Sequence, residues 1–186
     1  MLRAVAGLVL GGPRISDSAL RMAAKQRPTV ILNRAVTGLP SVVIDNPRGI
    51  RRAAEHLGEL GHEAITYLAG PEASWADGMR WRSLREAALE LDLRVRRLGP
   101  YPPTYAGGLA AVDDLRQHPT TAVVAYNDLM AIGLMHGLER ARVAVPRQVS
   151  VVGFDNIFGS DFCTPALTTV AAPLRTLGAA GVRQLL

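Results

Sequence analysis

The stretch VVGFDNIFGSDFCTPALTTV, residues 151–170, runs apolar residues straight into Asp155-Asn156, loops, and returns as a second β-like segment, Thr168–Val170. A nearly continuous apolar run marks a strand covered on both faces, because a strand with one wet face would alternate. Such a strand has no reason to end in a carboxylate and an amide unless its end opens onto something polar. In parallel α/β sheets that place, beyond the carboxyl ends of the strands, is where ligands bind.

Working outward, the same unit recurs. AVAGLVL, PTVILN, SVVIDN, AITYLAG, TAVVAY and QVSVVGF read as strands, with a short strand near Val95. Between them lie helical stretches at Asp17–Gln26, Ser74–Leu91, Tyr105–Gln117 and Asp128–Ala141, and a last one at Leu174–Leu186. The helix after SVVIDN is the best marked: Asn46 can cap it, Pro47 suits its first position and Gly61 ends it. Ile50, Ala53, Ala54, Leu57 and Leu60 form one stripe that faces a sheet. Strand and helix alternation predicts an α/β protein with parallel sheets covered on both faces. Asn33, Asp45, Asn127-Asp128 and Asp155-Asn156 follow four of the strands, and Gly70-Pro71 follows another. Helix caps and Asx-turns explain each one singly; their recurrence points to a shared polar cleft.

The 186 residues are 48% hydrophobic and 20% charged, ordinary globular values. No apolar run approaches the roughly 18 residues that span a bilayer. The N-terminus MLRAVAGLVLGG runs into a folded-looking pattern without a small-x-small cleavage site, so no signal peptide is read there. The net charge is +5, and Lys25 is the only lysine. The arginines are spread along the chain, densest in RGIRR and RVRR, and read as solvated faces rather than a polyanion site. The single cysteine, Cys163, precludes an intrachain disulfide and suits a cytoplasmic protein.

Catalytic and cofactor signatures do not emerge. The sequence has no phosphate loop, no G-x-G-x-x-G after a strand, no G-x-S-x-G elbow and no H-E-x-x-H. His56, His62, His118 and His136 have no metal-ligand spacing, and Cys163 has no evident base. His56 and His62 bracket a helix end, where a cation is favourable. The expectation is a protein that is not an enzyme and needs no cofactor or metal.

Three segments together resemble the effector-binding core of LacI/GalR-type bacterial transcription regulators: GLPSVVIDNPRGIRRAAEHLGELGHEAITYLAGP, TTAVVAYNDLMAIGLMHGLERARVAVPRQVSVVGFDN and TPALTTVAAPLRTLGAAGVRQLL. The resemblance covers essentially the whole chain, in order. It implies a periplasmic-binding-protein-like fold of two Rossmann-like parallel-sheet lobes joined by a hinge, with a small ligand, most often a sugar or derivative, held between them. Residues 1–62 with 170–186 would form a partial first lobe, 63–163 the second, and 164–169 the crossover. Matching the motifs implies ligand-binding roles for Asn33, Asp45, Trp75, Arg80, Tyr101, Asn127 and Asp155, with Tyr105 as the competitor of Tyr101. The chemistry agrees: a carboxylate or amide bonds adjacent hydroxyls, arginine supplies a fork of donors, and an aromatic face covers a sugar's C–H face.

In that family a helix-turn-helix and a hinge helix read DNA. No stretch here matches either, nor the first strand–helix–strand of the first lobe, so a truncated core is expected. Operator DNA would be bound only through the missing helix-turn-helix, and a homodimer would form in the complete protein, in the cytoplasm and away from membranes. The function implied is effector sensing that modulates operator affinity; the alternative is a periplasmic-type sugar-binding protein for transport or chemoreception.

Overall fold

The structure, a computed structural model, describes residues 5–186. The described residues divide into two compact units: those up to Asp45, with 73–76 and 173–186, group as unit 1, and 46–72 with 77–172 as unit 2.

Unit 1 is built on a three-stranded parallel sheet, β1 (Leu8–Gly11), β2 (Thr29–Leu32) and β3 (Ser41–Val42), in that order. Helix α1 (Asp17–Gln26) is capped by Ser16, whose hydroxyl accepts from the Ala19 N–H, and it buries Leu20 against Ile31 and Val36. The last helix, α6 (Leu174–Leu185), packs on β2, bringing Gly181 against the Leu32 side chain. The stretch SVVIDN, expected as one strand, pairs only at Ser41–Val42, and Val43 is exposed. Residue 4, the start of the expected first strand, lies outside the described residues.

Unit 2 holds a five-stranded, wholly parallel sheet in the order β5 (Arg94–Leu98), β4 (Ala64–Leu68), β6 (Ala122–Ala125), β7 (Ser150–Asp155) and β8 (Thr168–Ala171). β6 is buried along its whole length, as its unbroken AVVA predicts. Helices α2 (Asn46–Glu59), α3 (Trp75–Glu90), α4 (Tyr105–Gln117) and α5 (Asp128–Arg140) belong to the same alternation. Ile50, Ala53, Ala54 and Leu57 are buried as the stripe requires. Leu60 is not: it is 60% exposed, because α2 stops at Glu59 and the chain turns through Gly61 at φ +86°.

Two boundaries differ from the expectation. Helix α2 groups with unit 2 rather than the first lobe; Gly49 approaches so closely that a Cβ there would lie 2.8 Å from Val170 and 3.0 Å from Phe154. Likewise β8 stays in unit 2, held by its ladder to β7 and by the Thr169 hydroxyl, which donates to Asp128 at 2.5 Å. The chain passes to unit 1 at Pro173, after the stretch expected as the crossover.

His62 is not a helix-end cation. Its Nδ1 lies 2.8 Å from the Thr121 hydroxyl and its Nε2 3.0 Å from that of Ser150, tying together the starts of β4, β6 and β7. Burial holds its pKa below the usual histidine value. Folding therefore favours the neutral ring: this contribution is full above about pH 6.5 and is lost as pH falls through the lowered folded value. His62→Ala is expected to cost about 1–2 kcal/mol. The loss, read by urea denaturation, should shrink on acidification.

Candidate functional site

Asp155 ends β7 at φ +109°, and Asn156 follows at φ +53°. Non-glycine residues avoid this region, and strain of this kind collects at ligand sites. What the strained carboxylate meets is Arg80, on the first turns of α3: Arg80 Nη2 donates to Asp155 Oδ1 at 3.3 Å. Arg80 is 2% exposed and is the largest fully buried side chain among the described residues.

A buried guanidinium is tolerable only when its donors are met. Here Nε donates to Asn46 Oδ1 at 2.8 Å and Nη1 to the backbone carbonyl of Tyr126. The cation lies 3.6 Å from the centre of the Phe154 ring and 5.1 Å from that of Tyr126. Of the five guanidinium N–H groups, these contacts among the described residues use three, one on each nitrogen.

Beside this cluster, Asp128 is fully buried at the start of α5. Its Oδ2 accepts from the Ile157 N–H at 2.8 Å and its Oδ1 from the Thr169 hydroxyl, so it anchors the loop that follows Asp155. Burial raises the pKa of Asp155 above the usual carboxylate value; Arg80 opposes the rise and Asp128 adds to it. Folding thus favours the protonated form of Asp155. Its contribution to stability is full below its ordinary value and is lost as pH rises through the raised one. Measured by urea denaturation, the protein should gain stability relative to Asp155→Asn as pH is lowered from neutral towards 4.

The other candidate residues are placed as follows. Asn127 caps α5: its Oδ1 accepts from the Met130 N–H at 3.0 Å and its Nδ2 donates to the Pro103 carbonyl at 3.2 Å. Tyr101 packs its ring against the unit 2 core, and its hydroxyl donates to Asp114 on α4. Tyr105, its competitor, has its hydroxyl 3.0 Å from His136 Nδ1. Neither phenol is bonded to Arg80 or Asp155. Asn33, Asp45 and Trp75 group with unit 1. Asn33 follows β2 at φ +55°, with its Oδ1 buried and without a hydrogen-bond partner; Asp45 is exposed, and Trp75 is the half-buried first residue of α3. The structure thus joins Arg80 to Asp155 directly, and to Asn127 only through the neighbouring Tyr126 carbonyl. Sequence reasoning missed Phe154, the Tyr126 carbonyl and the acceptor role of Asn46.

Cys163 is buried, and burial pushes its thiol pKa up, the opposite of what activates a nucleophile. Among the described residues, no cluster of three or more His, Cys, Asp or Glu side chains is placed to hold a metal. Among the same residues, no helix is long and apolar enough to cross a membrane.

This arrangement can be set beside known proteins. The repressor CytR of Escherichia coli strain K12 is 33% identical over 181 residues, which cover 92% of this chain and 52% of CytR. The regulator GalS of Salmonella typhimurium is 34% identical over 177 residues, covering 91% of this chain and 52% of GalS. The chain therefore spans about half the length of the curated relatives it matches. A LacI family transcriptional regulator from Enterococcus faecalis V583, crystallised with bound ribose, superposes with a TM-score of 0.87 at 28% identity, covering 98% of this chain and 68% of that one. The sequence profile of the periplasmic binding protein-like domain matches residues 54–186. The chain belongs to the periplasmic binding protein-like domain family and is a homologue of LacI-type transcription regulators.

Proposed function

We propose that this chain is the effector-sensing core of a transcription regulator, which binds a sugar or sugar-like molecule through Arg80 and Asp155 and thereby modulates operator affinity in the complete protein. The observation that carries the reading is the buried Arg80 guanidinium, held between Phe154 and Tyr126, with Asp155 strained towards it. A sugar hydroxyl can donate to the Asp155 carboxylate while accepting from an Arg80 N–H. Asn33, Asp45, Trp75, Tyr101 and Asn127 are proposed as further ligand contacts. The ribose-bound regulator from Enterococcus faecalis supports a sugar, and the names of CytR and GalS support a regulator over a transport protein.

In the same reading the protein is cytoplasmic, is not an enzyme, and needs no cofactor. It acts as a homodimer on DNA through a separate helix-turn-helix. Ligand shifts the population between two arrangements by its differential affinity for them. A thermal-shift screen of sugars and nucleosides tests this: at least one should raise the melting temperature, and a flat response across the panel would contradict it. In gel shifts the 186-residue chain should bind operator-like DNA only weakly and in a salt-sensitive manner.

A further inference from the structure

Asp155 and Asn156 are consecutive non-glycine residues at positive φ, and a chain holds such a pair only where its surroundings fix both ends. One end is the β7–β8 ladder, which runs as far as Asp155 opposite Ala171. The other is Ile157, whose N–H donates at 2.8 Å to Oδ2 of Asp128, the first residue of α5. The second oxygen of that carboxylate accepts from the Thr169 hydroxyl on β8 at 2.5 Å, and the same Thr169 oxygen accepts from the Asn156 N–H at 3.4 Å. Strand β7 is shaped to admit this group: Gly153 stands opposite Thr169, and a Cβ there would lie 2.2 Å from Asp128 Oδ1. Burial raises the Asp128 pKa above the usual carboxylate value; the Thr169 hydroxyl and the backbone N–H groups of Ile157, Asn156 and Phe154 oppose the rise.

We infer that Asp128 is a positioning residue: it sets effector affinity without touching the effector, by holding Asp155 and Asn156 in the conformation that brings the Asp155 carboxylate to Arg80. This rests on the effector being bound at Asp155. Asp128 is 0% exposed, whereas the Asp155 side chain is 24% exposed, so only the latter is open to a ligand. Among the described residues, the hydrogen bonds of Asp128 go to β8 and to the backbone after β7, and none goes to Arg80 or to the Asp155 side chain. Its influence on a ligand therefore has to pass through the backbone that carries Asp155. What the carboxylate supplies there is two acceptors rather than a charge, because its partners are N–H and O–H groups.

The test is a double-mutant cycle on the 186-residue chain, read by calorimetry with whichever of D-ribose, D-glucose and adenosine binds, each variant first checked for folding by circular dichroism. Asp128→Ala should weaken binding about fivefold or more where Asp155 is present, and by less than about twofold in an Asp155→Asn background. Asp128→Asn keeps an acceptor for the Ile157 N–H and offers Thr169 a donor, so it should bind within about twofold of the unaltered chain. Should Asp128→Ala fail to fold, Thr169→Val takes its place in the cycle; it removes the hydroxyl that holds the carboxylate and should cost about threefold by the same route. Unchanged affinity in the folded variant, or an equal loss with and without the Asp155 carboxylate, overturns the positioning role and leaves the binding site standing. A loss in Asp128→Asn as large as in Asp128→Ala also overturns it, since the charge and not the hold on the backbone would then matter. If Asp155→Asn alone leaves affinity unchanged, or no probe binds, the binding site itself fails, and the positioning role with it.

Discussion

Arg80→Ala is expected to lower the stability of unit 2 by about 3–5 kcal/mol, the size expected for two buried acceptors left unpaired beside a cavity. The loss does not come mainly from the attraction to Asp155, whose side chain is 24% exposed and can be rehydrated. It comes from what the guanidinium leaves behind: the Asn46 Oδ1 and the Tyr126 carbonyl without their donor, and a space between two aromatic rings. Arg80→Lys keeps the charge but cannot present three donors in a planar fork, so it should recover only part of the loss. Urea denaturation followed by tryptophan fluorescence reads this directly, since Trp81 stacks on Tyr67 in the same unit at 5.9 Å. A loss below about 1 kcal/mol, the size of a surface pair, would show that the guanidinium is not the buried keystone described.

Gly108→Ala should be comparably damaging, by about 2–3 kcal/mol or more. Intrinsic helix propensity argues the other way, favouring alanine by about 1 kcal/mol. The clash outweighs it, because the new Cβ on α4 would lie 2.0 Å from the Met130 carbonyl oxygen and 2.8 Å from the Leu134 nitrogen on α5. Those are backbone atoms and cannot rotate aside. Gly133 meets the Tyr105 carbonyl in the same way from the α5 side, so the two helices touch backbone to backbone. Their separation also sets where α5 presents Asn127 and Asp128. Denaturant midpoints should show the loss, and the double substitution with Gly133→Ala should cost less than the sum of the two, because both act on one helix crossing.

The parts of this molecule that could be read in the sequence are those that repeat with a period. The strands announced themselves by unbroken apolar runs, as in β6, and α2 by its stripe of Ile50, Ala53, Ala54 and Leu57. A stripe says that a helix faces a sheet but not which sheet; the division at Asn46 hangs on close contacts of Gly49 that no periodicity encodes. Arg80 and Asp155 were legible as motif positions. Their supports were not: Tyr126 contributes through its carbonyl, Phe154 reads as one more apolar strand residue, and Asn46 reads as a cap. The hydroxyls of Tyr101 and Tyr105 go to Asp114 and His136, partnerships between residues 13 and 31 positions apart that the local pattern cannot show.

The sensing role proposed for Arg80 and Asp155 meets its most direct test in calorimetry of Asp155→Ala against the unaltered chain, using the sugar or nucleoside that most raises the melting temperature. The variant should keep its circular dichroism spectrum and lose about tenfold or more in affinity, the worth of a charge-assisted hydrogen bond. Unchanged affinity in a folded Asp155→Ala protein would contradict the assignment of the ligand to this site.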